Sequence, residues 1–177
     1  VTLTLKGDNH LTGGISGTGN YGRNGIASTG SLTISGGEND SLTAQGGSGA
    51  DGSYGGHGIY SNGSLTISGG TVNATGGDGS NVNGSGISSN GSVTISGGTV
   101  NATGGNGSHG GNGIYSRSSL TISGGTVNAT GGSGEDGGDG IRSFDPVAIS
   151  GGTVTAKGGS GEDGSGGRGI YSNKRGT

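Results

Sequence analysis

At 177 residues, with 23% hydrophobic and 3% aromatic content, 52 glycines and no cysteine, the chain lacks the material for a broad globular core. The missing cysteines exclude a disulfide framework and any cysteine-based zinc or redox site. A net charge of -3 with scattered Lys and Arg argues against a nucleic-acid partner, and no apolar run reaches membrane-spanning length.

In chain order, Val1 to Leu5 alternates apolar with polar residues, as a strand with one buried face does. The same L-T-I pattern returns at Leu32, Leu65, Val93, Leu120 and Val147, with steps of 33, 28, 27 and 27. A second strand follows each of these, at Leu42, Val72, Val100, Val127 and Val154. A third opens at Ile26, Ile59, Ile87, Ile114, Ile141 and Ile170. Three columns share one period, and glycine pairs such as Gly69-Gly70 and Gly76-Gly77 separate the strands. Neither helical periodicity nor capping residues occur.

Strands this short, with no complementary partner inside the unit, pair with their own copies in the next unit. The expectation is an all-β chain: a right-handed parallel β-helix, or β-solenoid, of 27–33 residues per turn with three short strands in each. It forms a single domain over 1–177, about five full turns plus partial ones. Leu65, Ile67, Val72, Ala74 and Ile59 are the inward set of one turn. Glycine-rich arcs such as GGSGEDGGDG, 131 to 140, are either loose loops or stacked extended segments. Val1 to Leu5 enters in strand phase and Lys174 to Thr177 stops where the next strand resumes, so the expectation is a segment of a longer solenoid or end-to-end stacking with a neighbouring solenoid segment.

Outward positions carry the candidate chemistry. Beside the third strand the column reads Tyr60, Ser88, Tyr115, Arg142 and Tyr171, which places Arg142 between two tyrosines, with Arg117 and Asp145 nearby. Flat rings beside a hydrogen-bonding fork suit a sugar ring or a uronic acid carboxylate. On the arc, Asp51, Asn81, His109, Asp136 and Asp163 align, and Glu135 and Glu162 flank the last two aspartates. Carboxylates stacked in this way call for a counter-ion, for which calcium is the candidate, or for an outward splay. The second strand presents Thr71, Asn73 and Thr75, then Thr99, Asn101 and Thr103, then Thr126, Asn128 and Thr130. Such a grid offers an alternative, ice-binding face. A structural spacer or self-assembling fibre segment is a further alternative.

The stretch GIYSNGSLTISGGTVNATGG resembles the repeats of carbohydrate-binding β-helix domains in clostridial and related Gram-positive surface proteins. The resemblance implies a pectate-lyase-like fold, an extracellular or cell-surface location, an adhesin-like role, a polysaccharide ligand and bound calcium. A lyase built on Arg142 with calcium between Asp136 and Asp163 is the weakest alternative. The three histidines occupy different columns and the serines lack a paired base, so the expected function is binding rather than catalysis.

Overall fold

The computed structural model of the chain describes residues 1–15, 21–49 and 54–173. Six coils of three strands follow one another. The first two contain β1 (Thr2–Thr4), β2 (Asp8–Thr12) and β3 (Ile26–Ser28), then β4 (Leu32–Ser35), β5 (Ser41–Gln45) and β6 (Ile59–Ser61). The middle two contain β7 (Leu65–Ile67), β8 (Thr71–Thr75) and β9 (Ile87–Ser89), then β10 (Val93–Ile95), β11 (Thr99–Thr103) and β12 (Ile114–Ser116). The last two contain β13 (Leu120–Ile122), β14 (Thr126–Thr130) and β15 (Ile141–Ser143), then β16 (Val147–Ile149), β17 (Thr153–Lys157) and β18 (Ile170–Ser172). Every third strand pairs in parallel with its own copy, giving three six-stranded sheets, β1-β4-β7-β10-β13-β16 and its two counterparts. The chain is a parallel β-solenoid.

Register explains the sequence repetition. Leu65 lies beside Val93 and Val93 beside Leu120, while Val72, Val100 and Val127 line up in the second sheet. In the third sheet Ile59, Ile87, Ile114 and Ile141 do the same. All of these residues are fully or almost fully buried. A like residue one coil away fills the gap left by its neighbour, so an aliphatic column packs without voids only if it repeats. The buried set also includes serines at the end of the third strand. Ser61, Ser89, Ser116 and Ser143 are sealed inside, and the Ser116 hydroxyl lies 3.0–3.1 Å from the carbonyls of Gly91, Ser118 and Ser119. At the corner between the first two sheets Gly70, Gly98, Gly125 and Gly152 adopt φ of 78° to 83°, which is why the second residue of the pair there is glycine in the last four coils.

The glycine-rich arcs are stacked rather than loose. After the second strand the chain runs out through a glycine pair, turns, and comes back through glycine to the third. Outgoing and returning segments interleave along the axis. Gly77 N–H donates to Gly56, Gly84 to Gly77, Gly105 to Gly84, Gly111 to Gly105 and Gly132 to Gly111, each at 2.7–3.0 Å, and the zigzag continues through Gly138 and Gly159 to Gly167. Main chains approach so closely that a Cβ on Gly84 lies 1.8 Å from the Gly56 carbonyl oxygen, and one on Gly132 lies 1.9 Å from that of Gly105. Glycine is abundant because this layer packs backbone against backbone.

The ends of the tube differ. In the first coil Asn9 takes the place that Leu42 and Val72 fill later, and its amide donates to the Gly7 and Ser41 carbonyls at 3.1 and 3.0 Å. In the last coil Ile149 and Ile170 are 46% and 43% exposed around an apolar hollow. Residues 174–177 lie outside the described residues.

Candidate functional site

A trough runs along the axis between the outer face of the third sheet and the glycine layer. Three columns shape it. The sheet wall is Tyr60, Ser88, Tyr115, Arg142 and Tyr171, in continuous register. The opposite rim includes Tyr54, Val82, His109 and Asp136, bridged through Val82–His109 and His109–Asp136 and through the Gly55 N–H to the Val82 carbonyl. The floor is formed by the residues that precede each Gly-Ile: Asn24, His57, Ser85, Asn112, Asp139 and Arg168.

This floor column has its own hydrogen-bond logic. The Asn24 side-chain oxygen accepts the His57 backbone N–H at 2.8 Å, and His57 Nδ1 accepts that of Ser85 at 2.9 Å. Further along, Asn112 accepts the Asp139 N–H at 3.0 Å and Asp139 accepts the Arg168 N–H at 2.8 Å. Each such side chain stitches its coil to the next. Burial pushes the His57 imidazole down to about 4, and as a neutral ring it both accepts from Ser85 and stacks on Tyr60, with centroids 5.7 Å apart.

Two hollows follow the trough. One, of about 590 Å³, is lined by His57, Tyr60, Tyr115, Arg117 and Arg142 among others; the next, of about 450 Å³, by Asp136, Asp139, Arg142, Arg168 and Tyr171. They share His109, Gly110, Asn112 and Arg142, so they form one continuous groove. All five residues of the expected sugar platform therefore meet on one face. Asn83 lies nine-tenths buried beside the first hollow, its amide donating to the His109 carbonyl at 2.6 Å and its Oδ1 unpartnered.

The expected Tyr-Arg-Tyr stack forms on one side only. The Arg142 guanidinium carbon lies 5.0 Å from the Tyr171 ring centroid, whereas Tyr115 sits edge to face with Phe144 at 6.0 Å. Arg168, not singled out by the sequence reading, lies over Tyr171 at 4.3 Å. The Tyr60 hydroxyl accepts from Asn90 at 2.8 Å and donates to Asn62 at 3.2 Å. Asp145 does not extend the platform: its side chain accepts from Ser118 and its carbonyl from Ser143 and Ser172. Tyr21 and Tyr54, stacked at 5.4 Å, add an exposed aromatic pair.

The acidic column departs from its expected alignment. His109 pairs with Val82, not with Asn81, and lies 3.7 Å from the Asp136 carboxylate. Gly134 lies beside Gly161, but the 3-10 turn Glu162–Gly164 then shifts the register. Gly137 N–H consequently bonds to the Ser165 carbonyl, so the backbone of Asp136 runs beside Ser165 rather than Asp163. Glu135 and Glu162 are exposed. The side chain of Asp163 and all of Asp51 lie outside the described residues, among which no three His, Cys, Asp or Glu cluster.

The threonine and asparagine grid forms in register on the second sheet. Thr71, Thr99 and Thr126 align, as do Thr75, Thr103 and Thr130. Between them the asparagines are engaged with one another: Asn101 donates to Asn73 at 2.8 Å and Asn128 donates to Asn101 at 2.9 Å.

Residues 65–91, 93–112, 120–141 and 147–170, together just over half of the chain, match the model of the Beta helix repeat family. The chain belongs to the Beta helix repeat family. The matched segments begin at each first strand from Leu65 onward, so the family repeat and the structural coil coincide. Neither a curated protein nor a solved structure shows a significant match. No helix among the described residues is long and apolar enough to cross a membrane.

Proposed function

We propose that this β-helix is a non-catalytic binding or adhesion module of the cell exterior, which holds a polysaccharide chain in the groove beside its third sheet. The observation that carries this reading is the continuity of the two hollows through Arg142, which makes an open, elongated site suited to a linear polymer rather than a compact one. Tyr60 and Tyr115 supply flat apolar faces; Asn90, Asn112 and the arginines supply hydrogen bonds around them. A wall of registered strands sets these groups at multiples of the coil spacing of about 4.8 Å, with Tyr60 and Tyr115 two coils apart and Arg142 one coil beyond, so that successive sugars meet successive coils.

Polysaccharide pull-down and glycan-array binding test the proposal. Retention of a polysaccharide that falls at least about tenfold in Tyr115→Ala and Arg142→Ala supports it. Unchanged retention in both variants places the ligand elsewhere. Repeating the measurement with a chelator tests calcium, and following unsaturated uronide release by ultraviolet absorbance tests for a lyase.

A further inference from the structure

Two guanidinium groups converge on one ring at the far end of the groove. Arg142 reaches Tyr171 from the preceding coil and Arg168 reaches it from the same coil, with their carbons 5.0 and 4.3 Å from the ring centroid. A ring occupied by two cations is poorly placed to stack on a sugar. Its role is that of a post, since cation–π contact fixes the azimuth of each planar fork.

The carboxylate behind the pair is already engaged. Asp139 Oδ1 accepts the backbone N–H of Arg168 and Oδ2 accepts from Arg142 Nη1 at 3.4 Å, a long contact. Its side chain is 9% exposed, whereas that of Arg142 is 42% exposed and Arg168 is exposed. Asp136, the other carboxylate lining this hollow, is 60% exposed and faces His109. Water screens it far more than it screens Asp139. The Arg142 fork is thus anchored from behind by one buried carboxylate, which holds Arg168 through its backbone N–H, and both side chains line the hollow.

We propose that Arg142 and Arg168, held on Tyr171 and backed by Asp139, form a subsite for an anionic sugar substituent, a carboxylate or a sulfate. The subsite deepens the polysaccharide reading and rests on the same groove. Tyr171 and Asp139 act as positioning residues. Asp139 also limits affinity, because its charge neutralises part of the field that the ligand meets.

The test is a titration of the full chain with glucuronate, glucose 6-sulfate, glucose and inorganic sulfate, read from the side-chain N–H resonances of Arg142 and Arg168. Saturating shifts with glucuronate or glucose 6-sulfate, but none with glucose, are expected, and the stronger of the two identifies the substituent. Arg168→Ala weakens this binding about tenfold or more. Tyr171→Phe retains it and Tyr171→Leu loses it. Asp139→Asn strengthens it about three- to tenfold, since Asn112 shows that an amide makes the same ladder bond one coil earlier. A purely structural Asp139 predicts weakening instead, and that result, or equal shifts with glucose, overturns the proposal. Saturable binding of the acidic sugars without any polysaccharide retention leaves the subsite standing and removes the polymer reading. Retention of neutral polysaccharide that is insensitive to Arg168→Ala does the reverse.

Discussion

The imidazole of His57 accepts the backbone N–H of Ser85, one coil further on, at 2.9 Å. Protonation removes that acceptor and places a charge in a site whose burial lowers the pKa from 6.5 to about 4. The folded state therefore binds fewer protons than the unfolded state between these values. This contribution is complete above pH 6.5 and is lost as the pH falls toward about 4, by up to about 3 kcal/mol. Thermal denaturation across this range checks it. His57→Asn, which installs the residue found at Asn24 and Asn112 of the same column, keeps the acceptor and flattens the dependence.

Asp40 works in a separate, more acidic window. Its carboxylate accepts backbone N–H groups from Gly37 and Gly7, both at 2.8 Å, and these bonds, assisted by Lys6, hold its pKa below 3.8. Stability from this clamp is present above pH 3.8 and falls as the pH drops through the lowered value. Asp40→Ala removes the clamp, and loss of hydrogen-exchange protection at the Gly7 and Gly37 amides is the measurement.

Gly132 and Gly30 respond oppositely to alanine. A methyl on Gly132 meets the Gly105 carbonyl oxygen at 1.9 Å, in a layer with no side chain to move aside. Gly132→Ala destabilises by about 3 kcal/mol or more, or the chain fails to fold. Gly30 has open space around its Cβ position and no positive φ. Gly30→Ala is neutral or stabilising by about 0.5 kcal/mol. Denaturant midpoints compare the two.

Asn101 stands mid-ladder, donating to Asn73 and accepting from Asn128. Asn101→Ala removes both bonds and costs about 1 to 2 kcal/mol, read from the denaturation midpoint. Polysaccharide retention stays unchanged, because this face and the groove belong to different sheets. Thermal hysteresis of the unmodified chain tests the ice-binding alternative on the same face.

Ser116 is sealed at the end of the third strand of its coil, close to three backbone carbonyls. Ser116→Ala leaves buried acceptors without their donor and costs about 1 to 3 kcal/mol, measured by chemical denaturation.

The aliphatic columns were legible in the sequence because their packing demands repetition: Val72, Val100 and Val127 announce their spacing by being alike. The glycine layer was less so. Its contacts are main chain to main chain, so nothing in the spacing of Gly77, Gly84 and Gly105 distinguishes a packed sheet of backbone from a slack loop. The rim was misaligned because Val82, His109 and Asp136 share a place but no chemistry, and the Glu162–Gly164 turn alters the step after Asp136. The floor had a readable signal, the residue before each Gly-Ile, which picks out His57, Asp139 and Arg168 at once. Tyr115 meets the ring of Phe144 edge on, a contact the column of outward residues did not reveal.

The groove floor changes chemical character from coil to coil, through amide, imidazole, hydroxyl, carboxylate and guanidinium, while the main-chain path beneath it stays the same. Amide, imidazole and carboxylate each accept the N–H of the next coil at this position, so the stitch requires an acceptor without fixing its identity. Surface chemistry is thereby uncoupled from architecture. The groove floor can change character one position at a time while the stitch between coils is kept.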